Sequence, residues 1–464
     1  MEVCSRAGMT SLRCLFRLVL RAWFKMSAFP PNWLKTIQID DEFVHPPIRE
    51  MAAAMSPVLP QDILEDIFAL LEIPDLVRAS SVCSSWHAAY TSLRSSGRYR
   101  RPQTPCLLYT SESAGDNVAC LYSLTEKKVY KLTLPEPSIR NRNVIGSSQG
   151  LLVTADERSE LHIVNPVTGE QMALPSVTTI EQIKPIFDDT GVLKQYEFSQ
   201  YFGEEEITIP FVHDLENLRD ELYVKAFVFS DSSTGNYIVV LIHNPIDQLS
   251  FARAGDSRWT WLPPSAGYED CIYMDGILYA VKSNGGIHAF DLTGPTVVRK
   301  VVMEKMKNYI FEHLYIVRTP SGDLLQVWRD QRVAVGDDAE EDARELDDSE
   351  IVNETRTIML YQIDMAAKEL FKINSLHDHV LFLGLSQSHC LNAEEYPELK
   401  GNHVYLTDDA HGFALWKSGC RDIGVFNLEN NSMEEIVSSE SWCSWPAPIW
   451  ITPSIKSLCL GLNK

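Results

Sequence analysis

The sequence predicts a mainly β protein with a small α-helical module ahead of it. Three observations carry that reading. Residues 56–100 repeat apolar side chains every three to four positions, which is the helical period. From about Pro102 onward the apolar residues fall in short or alternating runs punctuated by Gly, Pro, Asn and Asp. Several of those runs end in the same Asn- or Asp-led turn. The 464 residues would suit about three domains at ~150 residues each, although closed β architectures run longer as one unit.

Composition narrows the class. With 45% hydrophobic, 10% aromatic and 22% charged residues the chain is neither collagenous, nor globally disordered, nor a membrane-embedded bundle. Lys+Arg 41 against Asp+Glu 63 gives a net charge of −22, which repels nucleic acid and anionic lipid. Residues 1–100 carry eleven basic and ten acidic side chains, and 101–464 carry thirty and fifty-three, so the excess lies in the β region. Ten cysteines without a C-x-x-C pair read as reduced, mostly buried thiols of an intracellular protein.

Residues 1–55 read as a poorly ordered leader. Cys14–Phe24 is apolar but broken by Arg17 and Arg21, too short and too charged to span a bilayer. Its basic excess leaves organelle targeting by residues 1–25 as the alternative to the nucleus and cytoplasm. Sequons at Asn353 and Asn430 mean little without a secretory signal. In the first helix Pro60 occupies an early position, and Ile63, Leu64, Ile67, Phe68 and Leu71 form one broad oily face. Asp62, Glu65 and Asp66 lie opposite, and Pro74 ends the element. Asp75 then caps a second helix in which Leu76, Ala79, Val82, Cys83, Trp86 and Tyr90 keep the same spacing. Some forty-five residues cannot enclose both faces, so another domain or another protein must cover part of them.

Residues 101–464 supply the strands. Segments include Val118–Ser123, Gly150–Ala155, Tyr237–Ile242, Cys271–Ala280, His313–Arg318, Thr357–Ile363, His403–Leu406 and Ile423–Phe426. Ile163-Val164-Asn165-Pro166-Val167-Thr168-Gly169, Ala289-Phe290-Asp291-Leu292-Thr293-Gly294 and Val425-Phe426-Asn427-Leu428-Glu429 share the turn device. Aligning Leu121, Ile163, Ala289, Leu360 and Val425 gives separations of 42, 126, 71 and 65 residues; the first two fit a period near 42, within the ~40–50 of a propeller blade, and the later ones do not. A β-propeller of six or seven blades with insertions is preferred to paired sandwiches, which would not explain the recurring turn. Asp337–Glu350, with nine acids and one Arg, reads as a solvated loop insertion, with an acidic lure for a basic partner as its functional alternative.

Catalytic and metal readings are weak. Gly146-Ser147-Ser148-Gln149-Gly150 satisfies G-x-S-x-G, but Leu151-Leu152-Val153-Thr154 continues as a strand where a nucleophile elbow needs a helix. A blade turn is the preferred reading. His377, His379, His389 and Cys390 lack a recognised zinc spacing and suit a surface turn. No phosphate- or dinucleotide-binding glycine motif occurs. Trp259, Trp261, Trp442, Trp445 and Trp450 are assigned to blade packing rather than to exposed anchors.

Leu59-Pro60, Asp62-Ile63-Leu64, Ile67, Leu71, Pro74-Asp75-Leu76, Arg78-Ala79, Val82-Cys83 and Trp86 together resemble an F-box. F-boxes often carry a basic residue just before the Trp, where this chain has Ser84-Ser85. The resemblance implies that Leu59, Pro60, Ile63, Leu64, Ile67, Leu76, Val82, Cys83 and Trp86 form the interface and core that dock on a Skp-type adaptor of a cullin–RING ubiquitin ligase. It also implies that no intramolecular cover is needed. Residues from about 105 to 455 resemble the Kelch-type propeller domain that frequently follows an F-box in plants. The matching stretches are Val144–Leu152, Asn165–Gly169 with Leu174-Pro175, Gly255-Asp256 with Trp259-Thr260, Asp270–Tyr279, His379–Gly384 and Trp442–Pro453. The function implied is that of a non-catalytic substrate receptor, without cofactor or metal, whose propeller at 101–464 presents a protein substrate to the ligase. A scaffold binding a kinase or transcriptional regulator is the alternative.

Overall fold

The computed structural model describes residues 59–99, 101–202, 205–206, 210–231, 236–264, 266–294, 296–307, 310–335, 351–409, 421–438 and 442–455. Pro60–Lys464 forms one compact unit, and of the other, Met1–Leu59, only Leu59 is described. The leader and the acidic stretch 337–350 lie outside the described residues.

The helical module has three helices, not two: α1 Gln61–Phe68, α2 Ile73–Ser80 and α3 Ser84–Ser96. Pro74 does not end an element but sits in the first turn of α2, where its missing N–H is harmless, and Glu72 rather than Asp75 is the N-cap. The break before α3 has a local cause. Ser80 and Ser81 donate their hydroxyls back to the carbonyls of Val77 and Arg78 at 2.6 and 2.7 Å, and Cys83 is fully extended. Gly97, in the left-handed region at φ 62°, ends α3.

Among the described residues, six sheets of four or five strands make the ring. Blade 1 pairs Lys128–Thr133, Val118–Ser123 and Cys106–Thr110 with the late strand Ile449–Ile451, through Cys106↔Ile451 and Leu108↔Ile449. Blade 2 spans Asn143 to Ala173, blade 3 Tyr223 to Leu262, blade 4 Tyr268 to Met303 and blade 5 His313 to Ile373. Blade 6 has five strands between His379 and Glu434, with His379–Leu383 and His403–Leu406 parallel. Apolar clusters fill the space between successive blades, and the cluster of Leu107, Tyr109 and Cys120 with Val380, Phe382 and Trp450 joins blade 6 back to blade 1.

The irregular spacing now has a reason. Leu121, Ile163, Ala289 and Leu360 all fall on the third strand of their blades, counting outward. The fit of the 126-residue gap to a period of 42 is corrected: it is two blade steps and not three, containing the whole of blade 3 plus a three-stranded insertion, Ile183–Phe187, Leu193–Phe198 and Phe211–Asp214, followed by α4 at Asn217–Leu222. Blade 5 is stretched because its two middle strands run past the Arg329↔His313 register as far as Val335↔Ile351. The recurring turn joins the last two strands of a blade: Asn165 Oδ1 accepts from Val167 N and Thr168 N, Asp291 Oδ1 from Thr293 N, and Asn427 Oδ1 from Glu429 N. One expected segment is corrected. Cys271–Ala280 is not one strand but parts of two, Tyr268–Met274 and Ile277–Lys282, folded at Asp275-Gly276, both of which have positive φ.

Strand direction gives the ring two distinct ends. One carries the turns between first and second and between third and fourth strands, such as Gln149-Gly150 and Asn165–Gly169. The helical module sits at this turn end, against blades 1 and 2. The other, the loop end, carries the segments leading into the inner strands and the hairpins between second and third strands.

Candidate protein-docking surfaces

The module is fixed to the propeller by packing and by specific polar contacts. Leu64, Phe68, Ile73, Leu76, Ala89 and Leu93 join one core with Cys106, Leu121, Tyr130, Leu152 and Ile449. Arg94 donates to the Ile455 carbonyl at 2.7 Å and pairs with Glu170 at 2.7 Å. Tyr130 and Lys128 both reach Asp75, at 3.2 and 3.1 Å. Tyr99 donates its hydroxyl to the Leu71 carbonyl and Arg101 binds the Leu70 carbonyl, which ties the linker back to the end of α1. Burial raises the Glu72 carboxyl above its ordinary range, against the opposing pull of its ion-pair partner Arg101. The implication that no intramolecular cover is needed is therefore corrected: the propeller covers one side of the module.

Of the nine residues singled out in the sequence, four are exposed, three half-buried and two buried. Leu59 and Ile63 are 39% and 44% exposed, and Pro60 and Cys83 are exposed as well. Ile67, Val82 and Trp86 are half-buried, with Trp86 set edge-on to Phe68 at 5.4 Å between centroids. Leu70, 41% exposed, was not among the expected residues although it lies one position before Leu71. Leu64 and Leu76 are 1% and 0% exposed and cannot touch a partner. A 3.6-residue period marks an apolar stripe but not which edge of it faces home.

At the loop end, side chains from four blades line a cavity of about 140 Å³. Lys225 and Asp247 come from blade 3, Tyr268 and Glu269 from blade 4, His313 and Tyr315 from blade 5, and Asp409 from blade 6. Lys225 pairs with the fully buried Asp270 at 3.1 Å, and Asp270 also accepts from Ile316 N at 3.0 Å and Ser388 Oγ at 2.8 Å. Arg329, buried beside it, binds Asp409 at 3.2 Å, Asp422 at 2.9 Å and the Thr407 carbonyl. His313 stands 3.7 Å from Glu269. Burial lowers the affinity of this imidazole for a proton, but Glu269 and Asp409 outweigh it and raise the pKa. Burial, reinforced by the charge of Glu269, pushes Asp247 up to about 6. None of these residues was foreseen. They come from separate stretches of sequence and share no period.

The remaining candidates are structural. Ser148 ends the inner strand of blade 2, is buried, and accepts from Val228 N at 3.1 Å. A methyl group on Gly146 would collide with the Ala226 carbonyl of blade 3, and Gly150, at φ 82°, turns against Thr452 and Ser454. Both glycines of the G-x-S-x-G match thus serve close packing. His377 lies in a turn and His379 contacts the Leu376 carbonyl. Among the described residues no group of His, Cys, Asp or Glu has the arrangement of a metal site, and no helix is long and apolar enough to cross a membrane. Trp259 and Trp450 are buried, Trp259 donating to the Pro175 carbonyl at 2.9 Å, and Trp261, Trp442 and Trp445 are half-buried.

Comparison with known proteins places the chain. The KIB1-4 beta-propeller family matches residues 121–427. The chain belongs to that family. An F-box-like domain matches residues 57–93, so this is a plant F-box protein with a propeller. Its Arabidopsis thaliana relatives include F-box protein SKIP23, 24% identical over 85% of this chain and 95% of that protein, and F-box protein KIB4, 22% identical over 78% and 88%. F-box only protein 7 from the same plant is 27% identical over 50% of this chain and 57% of its own length. In this F-box propeller protein the F-box-like match coincides with α1, α2 and most of α3.

Proposed function

We propose that the protein is the substrate-receptor subunit of a Skp–cullin–F-box ubiquitin ligase. The observation that carries this reading is the outward apolar strip of a module otherwise locked onto the propeller. Leu59, Pro60, Ile63, Ile67, Val82, Cys83 and Trp86 are the proposed adaptor contacts, with Leu64 and Leu76 supporting them from beneath. Covering Ile63 alone would contribute roughly 1 kcal/mol at ~25 cal/mol per Å² of apolar surface. Several such residues together would give a specific interface. The chain performs no bond chemistry of its own. It acts by proximity, raising the effective concentration of substrate lysines near a ubiquitin-loaded enzyme. It works in the nucleus and cytoplasm, which imaging of a fluorescent fusion tests.

Replacing Ile63 or Leu59 by Glu should abolish co-purification with a Skp-type adaptor while the thermal midpoint stays within a few degrees of wild type. Undiminished adaptor binding by a folded Ile63→Glu protein would contradict the assignment.

A further inference from the structure

We infer that the loop-end cavity receives a lysine or arginine side chain of the protein the propeller carries, an inference that rests on the receptor reading above. Lys225, which lines the cavity, is already engaged by Asp270, and the lining Asp409 is engaged by Arg329, which lies buried behind it and also binds Asp422. His313 faces Glu269. That leaves Asp247 and Glu269 sharing one imidazole, His313, whose charge offsets theirs only in part, in a cavity also lined by Tyr268 and Tyr315. Two carboxylates that share a single imidazole still repel one another, and a further cation between them would relieve that repulsion. The upward shift of Asp247 has the same two causes, burial and the Glu269 charge, and a bound cation would offset both.

The surroundings fit a protein rather than a small ion. Phe311, two residues before His313, is 93% exposed. The insertion after blade 2 lies at the same end, because Tyr196 donates to the Arg158 carbonyl and Ser159 to the Leu215 carbonyl, and it leaves Phe187, Phe211 and Val212 exposed. Exposed aromatic residues at the end of the ring that carries the cavity suit a docking surface. Residues 101–464 hold thirty basic and fifty-three acidic side chains, so the long-range field also favours a basic partner.

The test uses the full chain and displayed random twelve-residue peptides as the probe. Selection should yield peptides sharing a Lys or Arg at one position. Replacing that residue by norleucine should weaken binding at least tenfold, as should the double variant D247N/E269Q. Adaptor binding and thermal midpoint, both unchanged in the double variant, verify its fold; should it melt early, E269Q alone is held to the same criterion. A selection without a shared basic residue, or peptides bound within twofold by the variant, would overturn the inference. Loss of the receptor reading would look different: the wild-type chain would fail to bind the adaptor whatever the peptides do.

Discussion

Ile63 and Leu64 are neighbours in α1 with opposite duties. Leu64 is sealed against the propeller and Ile63 faces out. Leu64→Ala should cost about 2–5 kcal/mol of stability because the cavity cannot close, whereas Ile63→Ala should cost less than about 1 kcal/mol, and equilibrium denaturation separates the two. Sequence alone gave both the same role, since spacing reports a stripe and not the partner on each side of it. His243 is a second single-residue case. It is buried between the Asn244 carbonyl and Ser250 Oγ, each at 2.8 Å, and burial lowers its pKa to about 4. The unfolded chain takes up this proton near pH 6.5 and the folded chain does not until about pH 4, so the residue removes stability as pH falls through that window. The unfolding free energy of His243→Gln, from equilibrium denaturation, should decline less steeply than that of wild type between pH 6 and 4.5, by about 1.4 kcal/mol per pH unit.

At the scale of elements, strand identity was largely legible and turns were less so. Val118–Ser123, His313–Arg318 and His403–Leu406 coincide with observed strands because apolar β-rich runs between turn residues have few other uses. The run Cys271–Ala280 hid a two-residue hairpin, although Asp275-Gly276 is a strong turn signal, because apolar residues flank it on both sides. The second helix was overextended because Ser80 and Ser81 break it through backbone hydrogen bonds that leave the apolar period intact. The G-x-S-x-G match shows the same limit in reverse: a motif read for chemistry is explained by the approach of two inner strands. Gly146→Ala should destabilise by more than about 3 kcal/mol, since the Ala226 backbone opposite it cannot yield, while Ser148→Ala should cost only about 1–2 kcal/mol. Thermal and denaturant unfolding of the pair reads this difference directly.

On the scale of the whole molecule, the helical module and the acidic cavity occupy opposite ends of one ring. The module is tied to blades 1 and 2 by a continuous core and by Arg94, Tyr130 and Lys128, so its outward strip is held in a set direction relative to the loop end. A receptor needs this arrangement, because a partner bound at one end must be presented at a defined distance from the machinery bound at the other. The fold class was readable from turn signals and run lengths. The cavity was not, because closing the ring brings together Asp247, Glu269, His313 and Asp409 from positions scattered over more than 160 residues. Hydrogen exchange of the full chain with and without a Skp-type adaptor tests the central claim most directly. Slowed exchange confined to α1 and the Val82–Trp86 segment, with the loops around Asp247, Glu269 and His313 unchanged, is the predicted result; protection at the loop end, or none in the helical module, would contradict it.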